Sequence, residues 1–105
     1  MNNQLWPNWY NPPKLRGVGF MERASRVTGY LPSELKGSDR TRGITRVRQA
    51  MAHVMKDGLK RSYPEIANNF GRHHSTIMHG VALSRRLETT DTNHRTLLQT
   101  LRAVL

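Results

Sequence analysis

The chain has 105 residues with 17 Lys and Arg against 7 Asp and Glu, a formal net charge of +10, and so one-sided a balance points to a polyanionic partner. It has no cysteine, which excludes disulfides and thiolate metal sites and fits a reducing cytoplasm. No apolar run approaches the roughly 18 residues of a membrane span, and the first residues, MNNQLWPNWYNPP, have neither the basic nor the apolar region of a secretory signal.

The length suits one small domain with a tail, and the domain is all-α, because no alternating β-branched run is present. Residues 1–17 contain Trp6, Pro7, Trp9, Tyr10, Pro12 and Pro13. Proline and asparagine discourage regular structure there, so a flexible arm is expected. Its aromatics either rest on the domain surface or form a motif for a protein partner or self-association, and Lys14 and Arg16 let it trail along DNA. The folded domain is expected over residues 18–105. Phe20, Ala24 and Val27 recur at helical spacing and predict a helix over about 18–28, ended by Gly29. Leu31 to Leu35 reads as one helical turn with both leucines inward.

Lys36 to Gln49, KGSDRTRGITRVRQ, is the basic centre of the chain. Gly37, Ser38 and Asp39 make a loop from which Arg40 and Arg42 project. A helix follows from Thr41 or Gly43 to Lys56, closed by Asp57-Gly58. Ile44, Val47, Met51, Val54 and Met55 give it one apolar face, with Arg46, Arg48, Gln49, His53 and Lys56 on the others. A charge run is usually a solvated face. Charges of nearly one sign do nothing for stability, however, and favour contact with phosphates.

Ser62 to Leu87, SYPEIANNFGRHHSTIMHGVALSRRL, has the layout of a helix-turn-helix. Ser62 and Glu65 have capping-box spacing, Pro64 sits in the first turn, and Ile66, Ala67 and Phe70 give one apolar side. Gly71 permits a sharp turn through positive φ. The second helix opens with His73, His74, Ser75 and Thr76 and buries Ile77, Val81 and Leu87. Hydrogen-bonding side chains at an exposed helix start suit the major groove, although Ser75 and Thr76 also serve as plain caps. His79 is either a base reader or an ordinary packed or surface histidine. A polar break over Glu88–Asn93 follows, with Asp91 or Thr92 as N-cap. Leu97, Leu98, Leu101, Val104 and Leu105 then form an amphipathic helix that covers the core or, less simply, seals a dimer.

Five histidines invite a metal, but His74 and His79 are five residues apart and lie on different sides of a helix, and no cysteine or carboxylate pair completes a site. No phosphate-binding glycine loop and no catalytic triad order is present. No cofactor, metal or enzymatic activity is expected.

Three pieces, SDRTRGITRVRQAMA, SYPEIANNFG and RHHSTIMHG, stand in order and spacing that resemble the C-terminal DNA-binding domain (domain IV) of the bacterial replication initiator DnaA, over about Phe20 to Leu105. The resemblance implies a small helical bundle with a helix-turn-helix, of the Trp-repressor-like kind. It implies that Arg40 reaches a minor groove, that Arg48 and Gln49 contact the DNA backbone, that Lys56 lies on a phosphate, and that His74, Ser75 and Thr76 read bases in the major groove. The family usually has Gly-Gly-Arg-Asp-His-Thr-Thr where this chain has Gly71, Arg72, His73, His74, Ser75 and Thr76. One glycine is missing, and the family aspartate that accepts from a base amino group is His73 here.

Arg40, Arg42, Arg46, Arg48, Gln49, Lys56, Arg72, His73, His74, Ser75, Thr76 and His79 are therefore the candidate DNA contacts. The expected function is sequence-specific binding of double-stranded DNA, without the family's ATPase domain, by a regulator of transcription or replication initiation, in a cell or a phage or mobile element. A monomer is favoured. The competing readings are an adaptor or anti-initiator acting on a protein, and a nonspecific nucleoid or RNA-binding protein.

Overall fold

The computed structural model describes residues 18–38 and 40–105. The expected N-terminal arm and Asp39 lie outside the described residues. The described residues form α1 (Val18–Thr28), α2 (Pro32–Leu35), α3 (Arg42–Asp57), α4 (Tyr63–Phe70), α5 (His74–Thr90) and α6 (Thr92–Arg102), with no strand among them. The all-α expectation holds.

The fold is organised around α3. Ile44, Val47, Met51, Val54 and Met55 are all buried, as their spacing predicts, and Ala50 and Ala52 join them. With this helix, Leu35 of α2, Ile66 and Phe70 of α4, Ile77 and Val81 of α5, Leu98 and Leu101 of α6, and Phe20 and Ala24 of α1, which packs on α2 and α6, form one continuous core. Each of the larger side chains contributes about 1.5–3 kcal/mol by leaving water. Because α3 is touched by α2, α4, α5 and α6, more than one of its faces is covered. Two residues expected on its outer faces are consequently inside: Arg48 is only 9% exposed and His53 only 2%.

Local chemistry explains the helix-turn-helix. Ser62 Oγ accepts from the Glu65 N–H at 3.3 Å, and Glu65 Oε1 accepts from the Ser62 N–H at 2.9 Å, so the capping box forms. At the other end Gly71 takes φ +63°. Its N–H reaches the Asn68 carbonyl, and the Arg72 N–H reaches the Ala67 carbonyl at 3.0 Å. These two bonds are a Schellman closure, which satisfies the last carbonyls of α4 and turns the chain toward α5. Gly71→Ala should therefore cost about 1–2 kcal/mol, since an L-residue pays roughly that in the left-handed region, and Gly71→Asn should cost less. Thermal unfolding of both variants checks this; equal melting temperatures would remove the backbone explanation.

Further expectations are corrected: Val27 is exposed, and Leu87 is half-buried and does not join the core. Leu31 is 61% exposed, while Leu35 is buried as expected. Leu31 is the extended N-cap of α2, its N–H bonded to Glu34 Oε1 at 2.7 Å, and that geometry leaves its side chain outward. The polar break over Glu88–Asn93 shrinks to Asp91 alone. α5 continues to Thr90, and Asp91 Oδ1 caps α6 by accepting from the His94 N–H at 3.1 Å. On α6 Leu98 and Leu101 are buried and Leu97 and the following Val104 pack on the core, whereas Leu105 stays exposed.

Candidate nucleic-acid interface

The start of α5 is an exposed hydrogen-bonding surface. His73, His74, Ser75 and Thr76 all face solvent, and the first buried side chain is Ile77. The cap is His73 rather than a hydroxyl. Its Nδ1 accepts from the Ser75 N–H at 3.2 Å and lies 2.8 Å from Ser75 Oγ. The two imidazoles stack with centroids 4.4 Å apart. An Nδ1 that accepts leaves the proton of the neutral ring on Nε2, so His73 presents a donor outward.

Behind this helix start is a cleft of about 570 Å³, lined among others by Arg40, Arg48, Gln49, Arg72, Thr76 and His79, with no acidic residue among the described residues of its wall. It brings together residues from the basic loop, α3 and α5. Gly80 makes the close approach possible: a Cβ there would meet the Gln49 Cγ at 3.3 Å. Gln49 Oε1 is buried at this junction without a hydrogen-bond partner.

The guanidinium of Arg48 is turned into the protein. Its Nε donates to the Leu35 carbonyl at 2.7 Å, and its Nη2 to the Glu34 and Gly37 carbonyls at 2.9 Å each. Arg72 Nη2 donates to the same Gly37 carbonyl at 2.5 Å, and Nη1 reaches the Phe70 carbonyl at 3.5 Å. These contacts fix the C-terminus of α2 and the start of the basic loop, since a short helix leaves its last carbonyls unpaired. Spacing alone gave no hint of this for Arg72. For Arg48 a signal exists: residues 44, 48, 51 and 55 fall at steps of four, three and four, so it stands on the apolar stripe.

The other cations divide by partner. Arg46 faces Asp91 at 3.5 Å, Arg61 faces Glu65 at 3.4 Å, Arg85 bonds Asp57 at 2.7 Å and Arg102 bonds Glu88 at 2.6 Å. Arg46 is thus drawn toward the α5–α6 junction, away from the cleft. Lys56 lies near the far end of α3, its ammonium 4.4 Å from the Tyr63 ring centroid. Arg40 and Arg42 are exposed and make no ion pair among the described residues. Four arginines are thus paired to carboxylates outside the cleft, while Arg40 and Arg42 face solvent.

The sequence pattern of the bacterial DnaA protein helix-turn-helix family matches residues 21–82, from α1 through the first half of α5. The chain belongs to the bacterial DnaA helix-turn-helix family. The chromosomal replication initiator protein DnaA of Cereibacter sphaeroides is 43% identical over 74 residues, which cover 70% of this chain and 16% of that protein. The corresponding initiator of Deinococcus deserti is 34% identical over 98 residues, 90% of this chain and 21% of that protein. That of Mesorhizobium japonicum is 34% identical over 91 residues, 86% of this chain and 18% of that protein. The chain thus spans between 16% and 21% of the length of these DnaA relatives. No solved structure matches. A DnaA helix-turn-helix implies DNA binding, and every candidate contact residue falls inside the matched segment. No helix among the described residues is long and apolar enough to cross a membrane.

Proposed function

We propose that the chain binds double-stranded DNA with sequence preference, laying the start of α5 in a major groove while the basic loop brings Arg40 to the neighbouring minor groove, and that it regulates transcription or replication initiation by occupying such sites. The observation that carries this is the joining of a cleft with no acidic residue among its described lining to an exposed row of donors and acceptors at the α5 start, with Arg46, Arg61, Arg85 and Arg102 paired to carboxylates outside it. Phosphate contacts then position the domain, and the α5 side chains specify the sequence. In this arrangement the protein is a binding module and no step of covalent chemistry is assigned to it.

Selection of bound duplexes from a random pool tests the proposal. A single asymmetric site is expected, with affinity that falls steeply as salt rises. Equal binding of random duplex and selected duplex would leave only a nonspecific nucleic-acid binder. Arg40→Ala should weaken binding to all duplexes and flatten the salt dependence by about one charge.

The capping geometry of His73 gives a sharper expectation. Its outward Nε2–H needs an acceptor, such as guanine O6 or N7, adenine N7 or thymine O4. The family aspartate at this position needs an amino group instead. His73→Asp should accordingly move the preferred base at one position toward cytosine or adenine, by about tenfold, within the range of a single good base contact. An unchanged selected sequence would show that His73 only caps the helix.

A further inference from the structure

The two elements proposed to meet DNA are separate in sequence and are tied together by one side chain. Arg72 belongs to the turn by its backbone, because its N–H closes α4 on the Ala67 carbonyl at 3.0 Å, and the next residue, His73, caps α5. Its side chain belongs to the basic loop, donating to the Gly37 carbonyl at 2.5 Å across 35 positions of sequence. Arg48 of α3 donates to that carbonyl as well, at 2.9 Å. Gly37 lies three residues before Arg40, so its carbonyl is the point from which the loop departs. The two guanidiniums converge on one carbonyl oxygen and so tie the start of the loop to α3 and to the turn of the helix-turn-helix.

We propose that Arg72 is a positioning residue: by holding the Gly37 carbonyl it sets the spacing between the Arg40 loop and the start of α5, so that both reach a duplex at once. This rests on the proposed DNA interface and assigns Arg72 a place inside the protein rather than on a phosphate. Preorganisation of this kind raises affinity by removing the cost of ordering the loop on binding.

The test uses the full chain, the duplex obtained by selection, and the variants Arg72→Met, Arg72→Lys, Arg40→Ala and the two doubles with Arg40→Ala. Circular dichroism first establishes that the helices are retained. In the free protein, ¹⁵N relaxation should show Gly37 and Ser38 passing from backbone order near 0.85 to below about 0.6 in Arg72→Met. On duplex, Arg40→Ala should cost about tenfold in the wild-type background and less than about threefold beside Arg72→Met, because contacts that act as a unit do not add. Arg72→Lys, with its charge kept but the planar fork lost, should behave like Arg72→Met. An unchanged loop in Arg72→Met, additive losses, or full rescue by lysine would each overturn the proposal and make Arg72 an ordinary phosphate contact or a bystander. Failure of the wild-type chain to prefer any duplex would instead overturn the proposed function, and the relaxation result reports on the loop tie apart from that failure.

Discussion

Arg48→Met should lower the folding stability by about 3 kcal/mol, one of the largest single-site losses in the domain outside the apolar core. The side chain donates to the Leu35, Glu34 and Gly37 carbonyls and is 9% exposed. Hydrogen bonds from a charged group are worth roughly 1.5–3 kcal/mol each. Part of that sum is returned, because the variant no longer buries a cation and the freed loop carbonyls turn partly to water. For a domain of this size each kcal/mol moves the melting temperature by about 4–8 °C, so a fall of about 12–24 °C is expected. Arg48→Lys should recover only a fraction, since one ammonium cannot span three carbonyls. The resemblance to the initiator family implies that Arg48 touches the DNA backbone. A direct phosphate ligand makes a different prediction, a reduced salt slope of binding with little change in melting. Thermal unfolding and a salt titration of the same variant separate the two, and a melting temperature within about 2 °C of wild type would sink the structural role.

What the sequence exposes and what it hides follow from the range of the interactions. The capping box of Ser62 and Glu65, the turn at Gly71 and the cap at Asp91 are local, and each was legible from residues within a few positions. The apolar face of α3 was legible through its period. The place of Arg48 on the apolar stripe signals its burial, but the carbonyl that it and Arg72 share, 11 and 35 positions away, leaves no local pattern. His53 was placed on an outer face for a related reason. Periodicity shows that a helix has an apolar side, but not how many neighbours will cover its polar sides, and α3 has neighbours on several. Leu31 errs in the other direction: a leucine at a cap position is held outward by the extended backbone that capping requires. On the candidate interface the residue types were readable and their commitments were not. Arg40 stays exposed, Arg48 and Arg72 turn to carbonyls, and Arg46 turns to Asp91.

Lowering the pH from 7.5 to 5 should destabilise the domain steeply, through a buried polar chain that joins α3, α5 and α6. His53 and His94, 2% and 3% exposed, both bond the fully buried Ser84. His53 Nδ1 lies 2.8 Å and His94 Nε2 2.7 Å from its Oγ. The far side of His53 settles the proton order. Its Nε2 is 3.1 Å from Asp57 Oδ2, and the hydrogen bond from Arg85 holds the Asp57 carboxyl below its ordinary range. His53 Nε2–H therefore donates to Asp57, Ser84 donates to His53 Nδ1, and His94 Nε2–H donates to Ser84. The three hydrogen bonds of the chain form with both imidazoles neutral, and a further proton on His53 reverses the bond to Ser84 and forces His94 to change tautomer. Burial holds both histidines below their ordinary pKa. It outweighs Asp57 and Glu88, which favour the charged form of His53 against Arg102 and Arg85, and it acts on His94 together with Arg46 against Asp91 and Glu88. The unfolded chain, whose histidines titrate near 6.5, then binds more protons than the native one. The resulting stability is complete above that value and is lost as the pH falls through the lower native pKa. Each histidine adds a slope of up to about 1.4 kcal/mol per pH unit, and the pair up to about 2.8. Urea unfolding at pH 7.5, 6 and 5 measures the slope, and His53→Gln should reduce it by about half. Ser84→Ala should already cost about 1–3 kcal/mol at pH 7.5, by leaving two buried imidazole nitrogens unpaired. A stability that stayed level from pH 7.5 to 5 would mean that the histidines accept protons within the fold, and the chain from Asp57 to His94 would then not be what locks α6 onto α3 and α5.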